Sequence, residues 1–209
     1  MKDHAKPSSA RRIPTQDRSQ HTVDCILEGA ARIFRREGFA ATTNRIAAEA
    51  GVSIGSLYEY FPHKQALLHA LAERHLLEAE RGVAAALGGG AGGDRSTREL
   101  LAALQSAIVS SHRYPSQALT LVSDPKASAA LHERACQLRE QVSGALLEHA
   151  RANQCPNPEL RARTAFGLLA ELTSITAYEV ATPDQHVPLA AHLLESAIEQ
   201  LIASRVCRR

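Results

Sequence analysis

Along most of the chain, apolar residues return every three to four positions with polar and charged residues between them, which is the period of an amphipathic helix rather than of a strand. In the first block, Val23, Ile26, Leu27, Ala30, Ile33 and Phe34 share one face while Asp24, Glu28, Arg32 and Arg35 fill the intervening positions. This predicts a helix over residues 19–37, capped by Ser19 or by Asp17 with Gln20, and stopped by Gly38 in a left-handed conformation. Two short helices follow. Thr42 or Thr43 starts one whose Ile46, Ala47 and Ala50 face inward, and Gly51 ends it. Ser53 caps the other, with Val52 and Leu57 placed as a hydrophobic staple. On that third helix Leu57 and Phe61 form the buried side, and Ser53, Ser56 and Tyr60 the displayed stripe.

Pro62 suits a helix start, so a fourth helix is expected from about residue 62 to 87, carrying Leu67, Leu68, Leu71, His75, Leu76, Ala79, Val83 and Leu87. The glycine run at 88–93 breaks it and reads as a surface connection; without a preceding strand or a following Lys-Ser/Thr it is not a phosphate loop. Further helices are predicted at 96–112, 116–122, 126–152, 160–180 and 187–204, separated by Tyr114-Pro115, Asp124-Pro125 and Cys155-Pro156-Asn157-Pro158. The last two have apolar residues on more than one side and need more than one packing partner. Leu168, Leu172 and Ile175 on one, with Leu193, Ile198 and Leu201 on the other, are therefore the candidate seam of a homodimer.

The expected fold is all-α, in three parts: a basic arm over residues 1–18, a compact three-helix domain over 19–65, and a larger helical domain over 66–209 reached through the long fourth helix. Composition agrees: 44% hydrophobic and 22% charged residues suit a globular chain, and 4% aromatics without tryptophan favour helix layers over an aromatic-rich sandwich. The net charge of +2 says little by itself, but residues 1–64 hold ten Lys/Arg against seven Asp/Glu, so the basic excess is N-terminal. Cys25, Cys136, Cys155 and Cys207 show neither metal-site spacing nor the density of a disulfide scaffold, which is the pattern of reduced thiols. No stretch resembles a signal peptide or approaches the length of a membrane span, and the expected location is the cytoplasm. Neither a nucleophile elbow nor a helical metal-ligand pair stands out, so no enzyme, cofactor or metal is expected.

Residues 43–61 meet the needs of a DNA-reading element, namely a short helix with its back fixed to a neighbour and small polar or aromatic groups at its start. Thr43, Tyr60 and Lys64 are candidates to hold phosphates, and Ser53, Ile54, Gly55, Ser56 and Tyr58 to reach bases. Gly55 is costly inside a helix, which points to a close backbone approach. A helical adaptor using Tyr58 and Tyr60 for protein contacts is the alternative.

The run from Thr42 to Lys64, with Ala30, Phe34, Gly38 and Phe39 upstream and Leu67 downstream, strongly resembles the helix-turn-helix of TetR-family regulators over residues 20–68. That resemblance implies a dimeric regulator, mainly a repressor, that binds a pseudo-palindromic operator in double-stranded DNA. It implies phosphate contacts for Thr43, Tyr60 and Lys64, base or groove contacts for Asn44, Ser53, Ile54, Gly55, Ser56 and Tyr58, and a flanking contact for Arg45. Glu59 stands where many relatives have a basic or amide residue, and it is expected to point to solvent. The resemblance further implies a divergent C-terminal domain that often admits a small apolar effector. His75, His112, Tyr114, Cys136, Phe166, Glu171, Thr173 and Tyr178 are the polar or aromatic interruptions that would line its pocket.

Overall fold

The structure, a computed structural model, describes residues 15–88, 97–109 and 114–179. These form α1 (Thr15–Glu37), a 3-10 turn (Gly38–Ala40), α2 (Thr43–Ala50), α3 (Ile54–Tyr60), α4 (Lys64–Gly88), α5 (Thr97–Val109), α6 (Ser116–Ser123), α7 (Ala129–Ala152) and α8 (Pro158–Glu179). The all-α expectation holds over these residues. The helix expected at 187–204, with Leu193, Ile198 and Leu201, lies outside the described residues, as does His112. Leu172, Thr173, Ile175 and Tyr178 fall on α8, at positions whose side chains are likewise outside them.

Two boundaries move for local reasons. α1 starts at Thr15, four residues before the expected cap, and the Thr22 hydroxyl already donates to the Arg18 carbonyl at 2.9 Å. Both expected caps, Ser19 and Asp17 with Gln20, thus lie inside the helix, and residues 15–18 of the expected arm belong to α1. α7 starts at Ala129 and not at 126, because the Asp124 carboxylate accepts from the Lys126 amide at 2.9 Å and holds 124–128 as a turn. Ser128 then caps the helix, accepting from the Leu131 amide.

α1, α2 and α3 wrap the start of α4. Ile26, Ile33, Phe34, Ile46, Leu57, Leu67 and Leu71 are almost fully buried between them. α1 and α2 cross closely at Gly29, where a Cβ would stand 2.9 Å from the Ala50 amide nitrogen, inside contact distance. This core does not end where a domain boundary near 65 would put it. Tyr114, Ala118 and Val122 at α6, and Leu131 and Ala135 on α7, are buried in the same cluster as the three N-terminal helices.

A second cluster joins Val83 and Ala86 at the far end of α4 to Leu100, Leu101 and Leu104 of α5, Val142 and Leu146 of α7, and Ala162, Ala165 and Leu169 of α8. The two long helices α4 and α7 therefore each contribute to both cores. Leu168 and Phe166 are half-buried against the second one.

Candidate nucleic-acid interface

The reading element is built from two capped helices and a tight turn. Thr42 caps α2, its hydroxyl accepting from the Arg45 amide at 3.4 Å. Gly51 ends α2 at φ +69°, where its lack of a Cβ removes the usual penalty, and the Val52 amide closes back onto the Ala47 carbonyl at 3.0 Å. Ser53 caps α3, its hydroxyl accepting from the Ser56 amide at 3.0 Å and lying 2.9 Å from the Ser56 hydroxyl. Leu57, fully buried, fixes the back of α3.

At about 100° per residue, burial of Leu57 decides which side chains of α3 face outward. Ile54, Gly55, Tyr58 and Glu59 form the exposed arc, while Ser56 and Tyr60 are half-buried. Of the displayed stripe expected from Ser53, Ser56 and Tyr60, Ser53 is exposed as expected and the other two are corrected. The two serines spend their hydroxyls on each other and on the turn, and Tyr60 packs against the first core. Glu59 is exposed as expected, but on the same arc as Gly55 and Tyr58.

Tyr58 and Thr43 tie the two helices together, with 3.0 Å between their hydroxyl oxygens. A Cβ at Gly55 would meet only the Ser53 hydroxyl, at 3.7 Å, so packing within the chain does not require glycine there. Asn44 is exposed at the start of α2.

The cations are already engaged. The Lys64 ammonium donates to the Phe39 carbonyl at 2.5 Å and to the Ala41 carbonyl at 3.1 Å, and stands 4.2 Å from the centroid of the Phe39 ring. Arg45 pairs with Glu37 at 3.0 Å. Glu49, on the outer side of α2, bridges to α1 through Arg32 at 2.7 Å and Arg36 at 3.2 Å. The Arg32 hydrogen bond, with Arg36 beside it, holds the Glu49 carboxyl below the usual carboxylate range against an opposing push from burial. Sequence reasoning passed over Gly29, Phe39 as the seat of Lys64, and the Glu49 clamp. The Arg32–Arg36 spacing of four was the one signal available for the last.

Among the described residues, the expected pocket residues do not converge on one place. The His75 and Tyr114 rings meet at 5.2 Å, tilted by 58°, beside the first core. Cys136 lies on α7 with its sulfur 3.5 Å from His132 Nε2 and accepting from Arg139 at 3.1 Å, and Phe166 packs on the second core. Glu171 is exposed on α8. A narrow cleft between α7 and α8 is lined instead by Leu146, His149, Ala150, Cys155, Arg161, Ala162 and Ala165, where burial pushes the His149 imidazole below the usual histidine range.

Among the described residues no helix is long and apolar enough to cross a membrane, and no group of three or more His, Cys, Asp or Glu is placed to hold a metal.

Residues 26–71 match the sequence model for bacterial regulatory proteins of the tetR family. A stretch of 52 residues is 42% identical to an uncharacterized HTH-type transcriptional regulator, YerO, of Bacillus subtilis (strain 168), covering 24% of this chain and 18% of that protein. The fold extends the likeness over most of the chain. The TetR-family regulator PfmR of Thermus thermophilus superposes with a TM-score of 0.62 at 16% identity, covering 88% of this chain and 99% of that one. FadR of Bacillus subtilis, solved in complex with stearoyl-CoA, superposes with a TM-score of 0.58 at 19% identity, covering 86% and 97%.

Proposed function

We propose that the chain, whose residues 26–71 match the tetR-family model and whose fold is that of TetR-family structures, is a DNA-binding regulator of that kind, acting as a homodimeric repressor released from a pseudo-palindromic operator by a small apolar effector. The observation that carries the DNA-binding part is α3 itself, locked by a buried Leu57 behind and the Ser53 cap at its start, with Ile54, Gly55, Tyr58 and Glu59 turned outward. A helix so held fits the major groove, which admits one helix and presents a distinct edge for each base pair.

In this reading Thr43, Tyr60 and Lys64 hold phosphates and Arg45 flanks them, while Asn44, Ser53, Ile54, Gly55, Ser56 and Tyr58 meet the groove. Two recognition helices must reach successive grooves on one face of the duplex, about 34–36 Å apart, which calls for a twofold pair of chains. The breadth of the apolar faces around Leu168, Leu172, Ile175, Leu193, Ile198 and Leu201 supports residues 160–204 as the seam. The stearoyl-CoA of the FadR complex supports an acyl-like apolar effector here. The site of action is the cytoplasm, where the duplex is.

Selection from a random duplex pool, followed by titration over several salt concentrations, tests the reading. A recovered inverted repeat, bound with a steep salt dependence and weakened in Lys64→Ala and Tyr60→Phe proteins across all sequences, is the expected result. Failure to enrich any duplex at low salt overturns it in favour of a protein-binding adaptor.

A further inference from the structure

The exposed arc of α3 contains one purely aliphatic side chain. Among the described residues, the large hydrophobics left exposed are Phe39, Ile54, Tyr58, Leu77 and Leu160. Leu77 and Leu160 lie on α4 and α8, away from the reading element. The Phe39 ring lies under the Lys64 ammonium, and the Tyr58 hydroxyl is held by Thr43. That leaves Ile54, 38% exposed, at the first position of α3.

Its surroundings make the sec-butyl group the contact surface of the turn. The hydroxyl of the preceding Ser53 is turned back into the cap, towards the Ser56 amide and hydroxyl. The following residue is Gly55, with no side chain, where a Cβ would touch only the Ser53 hydroxyl, at 3.7 Å. A branched aliphatic group gains nothing from phosphates or from the donors and acceptors of base edges. The apolar feature that a major groove offers is the 5-methyl group of thymine.

We propose that Ile54 reads a thymine through its 5-methyl group, once per recognition helix. The inference rests on the DNA-binding function above and names the base feature that this chain selects. Both the base and its discrimination follow: deoxyuridine, which pairs identically but lacks the methyl, is the group to be refused.

The experiment uses the full-length protein and the duplex recovered by selection, with each thymine replaced in turn by deoxyuridine. Removing one buried methyl is expected to weaken wild-type binding about fourfold at one thymine per half-site. Ile54→Ala should bind the thymine and deoxyuridine duplexes equally, and Ile54→Val should retain part of the difference. Equal thermal melting of the three proteins shows that the fold is intact. The proposal is overturned if no thymine in the selected duplex shows methyl dependence, or if Ile54→Ala shows the same dependence as wild type. If no duplex is enriched at all, the DNA-binding reading itself has failed, and the proposal with it.

Discussion

The Lys64 ammonium has three protons to donate, and two are aimed at the Phe39 and Ala41 carbonyls while the charge sits over the Phe39 ring. A phosphate contact would have to use the third. The cation therefore has a folding role, because it pins the turn that sets the start of α2. Hydrogen bonds to a charged group contribute about 1.5–3 kcal/mol each, reduced where water competes, so Lys64→Ala is expected to lose about 1–2 kcal/mol of stability in a urea titration. An unchanged midpoint would remove the latch.

Gly55 gives the opposite trade. No contact in the chain requires it, so Gly55→Ala should raise stability by about 0.5 kcal/mol through helix propensity, yet weaken DNA binding if the backbone approaches the groove. Parallel melting and duplex titrations read both signs, and an alanine variant that binds as well as wild type would show that the glycine has no such role.

At the scale of elements, α1 and α2 are joined by a steric fit and an electrostatic clamp. The steric fit is Gly29 against Ala50, where the nearest atom to an added Cβ is a backbone nitrogen that no side-chain change can move. Gly29→Ala is expected to cost about 1–3 kcal/mol, and Ala50→Gly should not rescue it; rescue would mean that the side chain of Ala50 sets the distance.

The clamp is Glu49 between Arg32 and Arg36. Its carboxyl titrates lower in the folded chain than in the unfolded one, so its contribution is present above the unfolded value, about 4.3, and is lost as pH falls through the lowered folded value. Glu49→Gln should accordingly flatten stability against pH in that acid window and leave the slope above pH ~5 unchanged. Since Arg32 and Arg36 are exposed, the change is small and best read as a difference between the two proteins' acid-unfolding curves.

How far these elements were legible depended on range. Gly51 and Ser53 act on residues within four positions and stand where the pattern puts them, while for the α2 cap the pattern allows Thr42 or Thr43 and the structure uses Thr42. α7 slipped because the Asp124 side chain offered its own turn to the backbone. On α3 polarity is a poor guide to display: Ser56 and Tyr60 are half-buried, the one beside the Ser53 hydroxyl and the other against the first core, while Ser53 and Ile54 are exposed as a base-reading role requires.

At the scale of the molecule, the packing divides along a line that crosses α4 and α7, and this was invisible in the sequence because it depends on contacts between residues some ninety positions apart. α4 gives Leu67, Leu71 and Leu76 to the first core and Val83 and Ala86 to the second, and α7 gives Leu131 and Ala135 to the first and Val142 and Leu146 to the second. Ion pairs follow the same helices. Arg74 of α4 reaches Asp24 and Glu28 of α1, and Arg134 of α7 binds Glu80 of α4 through two nitrogens at 3.0 and 2.8 Å.

Packing of the reading element should then depend on a residue far from it in sequence. Leu131, 2% exposed, sits in the core that also holds Ile26, Phe34 and Leu57, whereas Leu146, 4% exposed on the same helix, does not. Both are buried leucines whose truncation costs about 2–5 kcal/mol, so their total effects should be similar. Their distribution should differ. Leu131→Ala is expected to speed amide exchange in α1, α2 and α3 through local opening, and Leu146→Ala to speed it in α5 and α8 with α1–α3 protected to a higher free energy. Exchange measured by mass spectrometry under native conditions separates the two patterns. Identical profiles in both variants would mean that the molecule opens as one unit and that the two cores have no independent stability.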